Sequence, residues 1–242
     1  TWGENTSRFA EGTGKYLLHR FLGGLASAAA ALLAGEPAFA QLRQNDVRAT
    51  ASVDLYYAFS PQWTLNLFSE GQLDHNLGRA TDFFFRPNLQ YHLSADWTVA
   101  AGYVQFQPIA AHFPPERGAF QDAIYQHSWG QLGLYNRTRV NETFADQSSA
   151  VLVTASNFID LHHPIGESAW FAEIYDEPYF NLKVDGTGRA AGFQLNKSYV
   201  GVGYAISPKA YTTLGYELDL IDATGTLFTA HVFKFGLIVH LN

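Results

Sequence analysis

Hydrophobic and polar residues alternate along almost the whole chain after residue 40. In DFFFRPNLQYHL, Phe83, Phe85, Pro87, Leu89, Tyr91 and Leu93 take one set of positions, and Asp82, Phe84, Arg86, Asn88, Gln90 and His92 take the other. TTLGYELDL sets Leu214, Tyr216, Leu218 and Leu220 against Thr213, Gly215, Glu217 and Asp219. DVRATASVDLYYAF divides into Ala49, Ala51, Val53, Leu55, Tyr57 and Phe59 against Arg48, Thr50, Ser52, Asp54 and Tyr56. In the last run Phe233, Phe235, Leu237, Val239 and Leu241 stand opposite Lys234, Gly236 and His240, with Ile238 the exception. Successive side chains of a strand point to opposite faces, so a period of two predicts strands with one apolar and one polar face.

Eleven such segments can be counted, near 46–59, 63–74, 82–93, 97–108, 122–132, 134–144, 149–161, 169–182, 193–206, 210–221 and 228–241. Single-chain bacterial barrels nearly always have an even strand number, so the expectation is twelve strands, with ten as the fallback. The fold class expected is all-β: one antiparallel up-and-down transmembrane barrel. An open strand edge in hydrocarbon costs several kcal/mol per unpaired group, which is the reason for closure.

Alternation also suits a soluble barrel with its apolar face inside. Three features favour the membrane. The segments are about 10–14 residues long, enough to cross a bilayer at a tilt of roughly 45°, whereas globular strands average about 5–6. Short turns at 60–62, 94–96 and 207–209 alternate with longer stretches at 109–121 and 183–191, the asymmetry of periplasmic turns and outer loops. Tryptophans sit at the turns, where a membrane boundary holds amphipathic rings. FSPQWTLNLFSEGQ at 59–72 returns as LSADWTVAAGYVQF at 93–106, which puts Trp63 and Trp97 at one height on neighbouring hairpins. A weaker third copy, ISPKAYTTLGYELD, gives Tyr211 the same boundary position.

Composition sharpens this picture. Of 242 residues, 15% are aromatic, 15% are charged, and none is cysteine, which removes disulfides, thiolate nucleophiles and cysteine metal sites. A formal charge of −7 and the lack of a basic stripe argue against a nucleic-acid partner. Lys15, His19 and Arg20 precede the apolar run FLGGLASAAAALL and then AFA ending at Ala40, the layout of a helical signal peptide within 1–40, residues 1–14 reading as an upstream extension or a clipped start, that is cleaved to leave the barrel domain 41–242. The expected location is therefore the outer membrane of a Gram-negative bacterium, with its lipids and the barrel-assembly machinery as partners.

Arg86-Pro87 followed by Tyr91, LSADW, Ala101-Gly102-Tyr103, the His127, Trp129, Gln131 segment, NRTR at 136–139, YDEPYFN at 175–181, NKSYVGVGYAIS at 196–207, and Leu214-Gly215-Tyr216 follow one another in this order. In order and spacing they resemble the domain of unknown function 2490 family of Gram-negative outer-membrane barrels. Together they span most of residues 82–216. The resemblance implies an outer-membrane barrel and, by the family's name, no known activity. The chain departs from the family where Asn141 stands in place of a further glutamate, and where VLVTASNFIDL carries no arginine.

The polar candidates for the lumen are Glu70, Arg86, Asn88, Gln90, His127, Arg137, Arg139, Glu173, Glu217 and Asp219. Arg137 and Arg139 flank Thr138 and share a face; Glu217 and Asp219 share another and are expected to pair with arginines such as Arg86, Arg137 or Arg139. Outer-membrane hydrolases place His-x-Ser on one strand face, whereas YQHSW makes His127 and Ser128 adjacent, on opposite faces. The preferred reading is thus non-enzymatic, a structural barrel or narrow channel with no catalytic residue, metal or cofactor. A lipid hydrolase and a secreted soluble ligand-binding barrel are the alternatives, and the soluble one requires Phe83, Phe85 and Leu89 to face inward.

Overall fold

The computed structural model describes residues 45–109, 115–145, 151–183, 191–223 and 225–241. The expected signal peptide lies outside the described residues. Eleven strands follow one another: β1 (Asn45–Ala58), β2 (Trp63–Asp74), β3 (Arg79–His92), β4 (Trp97–Pro108), β5 (Glu116–Trp129), β6 (Leu132–Ala145), β7 (Val151–Pro164), β8 (Trp170–Asn181), β9 (Gly192–Ser207), β10 (Ala210–Ala223) and β11 (Thr226–His240). Each pairs antiparallel with the next, and β1 meets β11 to close the barrel. Among the described residues no helix is long and apolar enough to cross a membrane, which says nothing about strands.

The count corrects the expectation of twelve or ten. Evenness is needed only if the closing pair is antiparallel; here β1 and β11 run the same way, from Asn45↔Thr229 to Tyr56↔His240, and both edges are still satisfied. The seam ends with Leu241 N–H donating to the Tyr56 carbonyl at 2.8 Å. A second correction concerns β5, which begins at Glu116 inside the stretch read as a loop. Its first residues escape the pattern because Gly118 and Ala119, one on each face, carry almost no hydropathy contrast.

The apolar faces point outward. Phe83 is 42% exposed, Leu89 42%, Leu214 60% and Phe233 53%, whereas Asn88 is 6% and Glu217 1% exposed. This is the reverse of what the soluble reading required for Phe83, Phe85 and Leu89. Pro87, which has no N–H to give, falls where the β3–β4 ladder steps from Phe85↔Gln105 to Asn88↔Gly102 without pairing Arg86 or Pro87.

The repeated turns are structural twins. Ser60 Oγ accepts from Trp63 N–H at 3.1 Å, and Ser94 Oγ accepts from Trp97 N–H at the same distance. Each tryptophan then meets an outward tyrosine directly across the ladder: Trp63 on Tyr91 at 4.7 Å and Trp97 on Tyr125 at 5.0 Å. Trp170 on Tyr204, at 4.9 Å, completes the set. Tyr211 does not join it, contrary to the sequence reading. Its ring turns inward against Phe171, 5.7 Å away, because three residues separate Ser207 from Tyr211 where two separate Ser60 from Trp63. With a period of two, one extra residue reverses the face.

Inside, rings lie over glycines of the neighbouring strand. Phe120 covers its cross-strand partner Gly102, His162 covers Gly133 and Phe171 covers Gly203. Tyr199 covers Gly215 on β10 and also Gly201, two residues along its own strand. A Cβ at any of these glycines would run into the ring, so the bare backbone is what lets large side chains fold down against the wall.

Candidate functional site

A belt of charged side chains crosses the lumen near the middle of the strands. Asp122 on β5 and Arg139 on β6 are register partners; the carboxylate accepts from Nε and Nη2 at 2.7 Å each, and both side chains are under a tenth exposed. This bidentate geometry is the strong form of a charged hydrogen bond. Phe120 lies 4.0 Å beneath the Arg139 guanidinium. Two residues along β6, Arg137 reaches past β7 to Glu177 on β8 at 2.7 Å, and Ser156 donates to the same carboxylate at 3.1 Å. Strand alternation explains the arrangement: Arg137 and Arg139 share a face and find carboxylates on either side.

Across the lumen Glu217 on β10 is the hub. Lys234 from β11 donates to it at 3.1 Å, Lys197 from β9 lies 3.8 Å away, and the Tyr175 hydroxyl donates to Oε2. Lys234 also stands 3.8 Å from Glu70 on β2, so the network bridges the β1–β11 seam. Tyr175 stacks on Tyr199 at 4.5 Å, and Tyr199 rests on the glycines. The expected pairing of Glu217 with arginines is therefore corrected: Lys234 and Lys197, from the strands on either side of β10, reach it first. Asp219 is the register partner of Lys197, and its Oδ1 meets no hydrogen-bond partner among the described residues.

Arg86 differs from the other belt cations. Among the described residues it has no carboxylate within ion-pair distance; its guanidinium lies 4.2 Å over Phe68, and its Nε meets no protein acceptor. Nearby, Asn88 donates to Asn66, its partner across the β2–β3 ladder, and Asn66 donates to Asp54. Asn88 and Gln90 are buried on the inner face, and Glu173 lines the lumen closer to the short turns. His127 borders the cavity at the rim beside the short turns. Its ring stands in the outward aromatic row, 6.0 Å from Tyr125 and 4.9 Å from Trp129, with Nδ1 3.4 Å from Asp96 in the neighbouring turn. His127 alternates with Gln126 and Ser128, so the adjacent histidine and serine diverge as the spacing implied.

The side chains leave a cavity of about 2290 Å³, lined from Ser60, Ser94 and Pro208 in the short turns to Asp82, Glu116 and Asp222 near the other mouth. That is well above the roughly 300–1,000 Å³ of a fitted small-molecule pocket. Twelve acidic and seven basic residues line it among the described residues. No group of three or more His, Asp or Glu side chains is arranged to hold a metal ion among those residues.

A model of the family described as Protein of unknown function (DUF2490) matches residues 51–227. The chain belongs to that family. The match extends the segments found by inspection to β1, β2 and the start of β11, so the DUF2490 region contains nearly the whole belt, with Lys234 just beyond its end. No curated protein matches this DUF2490 chain. Sequence reading missed Asp122, Glu177, Lys197 and Lys234 as belt members. The signal was there, since each occupies an inward position by alternation.

Proposed function

We propose that this DUF2490 barrel sits in the outer membrane of a Gram-negative bacterium, inserted by the barrel-assembly machinery after export, and that its lumen is a narrow water-filled path preferring small cations. The observation that carries this reading is the reversal of faces: apolar rings cover the outside while charges fill the inside. Strands of 12 to 16 residues are long enough to cross a bilayer, and the Trp–Tyr pairs ring one mouth as boundary aromatics do. The acidic excess sets the preference, because fixed carboxylates lower the barrier for cations and raise it for anions. The protein acts on this reading as a non-catalytic barrel.

Planar-bilayer recording with purified protein tests it. Discrete conductance steps with a cation-selective reversal potential in a KCl gradient are the expected result. Silence would show that the belt closes the bore and leaves a structural barrel, and anion selectivity would overturn the assigned preference.

A further inference from the structure

The outer wall is not uniformly apolar. At mid-height on one side, Val53, Phe85, Leu214 and Phe235 are well exposed, as a lipid-facing wall requires. On the other side, the outward residues at or next to the midpoints of β6, β7 and β8 are Thr138, Asn157 and Asp176, and Ser198 on β9 stands one outward position from the midpoint residue Val200. They form one patch. Asn157 donates to Thr138 Oγ1 at 2.9 Å and accepts from Asn136 at 3.2 Å; Asp176 Oδ1 accepts from Asn196 at 2.8 Å and from Ser198 at 2.7 Å. None of these residues lines the lumen. Between the two clusters the β7–β8 ladder steps from Ser156↔Tyr179 to Ile159↔Asp176, with Pro178 unable to donate.

Within a membrane this patch would lie where polar side chains are least tolerated, and the cost rises toward the midplane. Its internal hydrogen bonds leave specific capacity unused. Asp176 Oδ2 has no partner among the described residues, and Thr138 accepts a bond without giving its own hydroxyl proton. The free acceptor on β8 and the free donor on β6 flank Asn157 on β7. That arrangement is self-complementary: a two-fold axis beside β7 sets Thr138 of each copy against Asp176 of the other, with the asparagine amides, which both donate and accept, between them.

We propose that this facet, centred on Asn157 and Asp176, is the interface through which two copies of the barrel pack side by side in the membrane. The inference rests on the membrane reading above. It makes the polar patch a shared hydrogen-bonded seam in place of a lipid-exposed defect, and it selects a second copy because the facet holds no lysine or arginine yet supplies both halves of its own pairing.

Because the chain has no cysteine, one introduced thiol reports unambiguously. Asn157→Cys, expressed in a Gram-negative host and oxidised in isolated outer membranes with copper–phenanthroline, is expected to give a disulfide-linked dimer, while Phe85→Cys on β3, across the barrel from the facet, stays monomeric. Adding Asp176→Leu and Thr138→Val is expected to reduce the Asn157→Cys dimer at least tenfold. Outer-membrane barrels in which neither thiol cross-links, or both do equally, would overturn the interface and leave the membrane reading standing. Recovery of the chain in the soluble fraction would overturn both. Independently of any substitution, the unaltered protein extracted in mild detergent is expected to have twice the chain's mass, and a monomer there would also overturn the interface.

Discussion

Asp122 and Arg139 face each other across the β5–β6 ladder, joined by two 2.7 Å hydrogen bonds in a site nearly closed to solvent. Removing one member strands the other. Asp122→Asn is therefore expected to destabilise the barrel by about 3–5 kcal/mol, the cost of breaking a buried pair from one side. Urea or thermal unfolding in detergent measures it. Replacing both residues by leucine should cost clearly less than Asp122→Asn alone, and a double variant as unstable as the single one would refute the pair's isolation.

Arg86 gives the opposite expectation. Among the described residues it holds no carboxylate, only the Phe68 face at 4.2 Å, so Arg86→Gln should lose about 2 kcal/mol, the size of a desolvated cation–π contact and less than Asp122→Asn. Its effect belongs in the current. Taking a positive charge from the belt should raise the cation-to-anion permeability ratio, and an unchanged or lowered reversal potential would contradict the placement of Arg86 on the ion path.

The seam has its own test. Ser52 and Gly236 are register partners across the parallel β1–β11 pair. In a chain without native cysteines, Ser52→Cys with Gly236→Cys is expected to close an intramolecular disulfide that changes gel mobility only under oxidising conditions. Failure of that bond, with the barrel otherwise folded, would argue for a different closure and strand number.

Gly215 tests the support beneath the belt. A Cβ there would come within 2.5 Å of the Tyr199 ring, which holds Tyr175 in its stack and through it the Glu217 hub. Gly215→Ala should cost about 1–3 kcal/mol, the range for overpacking a filled site. In a Tyr199→Ala background the same substitution should be nearly neutral. Equal losses in both backgrounds would place the strain elsewhere.

The alternation that revealed ten of the eleven strands to within a few residues also assigned the faces, because each strand is amphipathic by itself. Three things were hidden. β5 began too early to notice, since Gly118 and Ala119 flatten the contrast. Tyr211 sits in a copied turn whose one added residue reverses its direction. The partners of Glu217 come from β9 and β11, and nothing local in TTLGYELDL encodes which strands close beside it. The strand total fell to a rule about parity that a same-direction seam evades. Asp176 and Asn157 lay in plain view as breaks in an apolar face, but only the assembled wall shows that breaks on four strands converge.

The parallel pairing of β1 with β11 has a geometric outcome. Asn45 and Leu241 leave the wall at opposite mouths. Proteins fused ahead of the first strand and behind the last would stand at different ends, separated by the full height of the cylinder, whereas an even-stranded antiparallel barrel would return both to the same mouth.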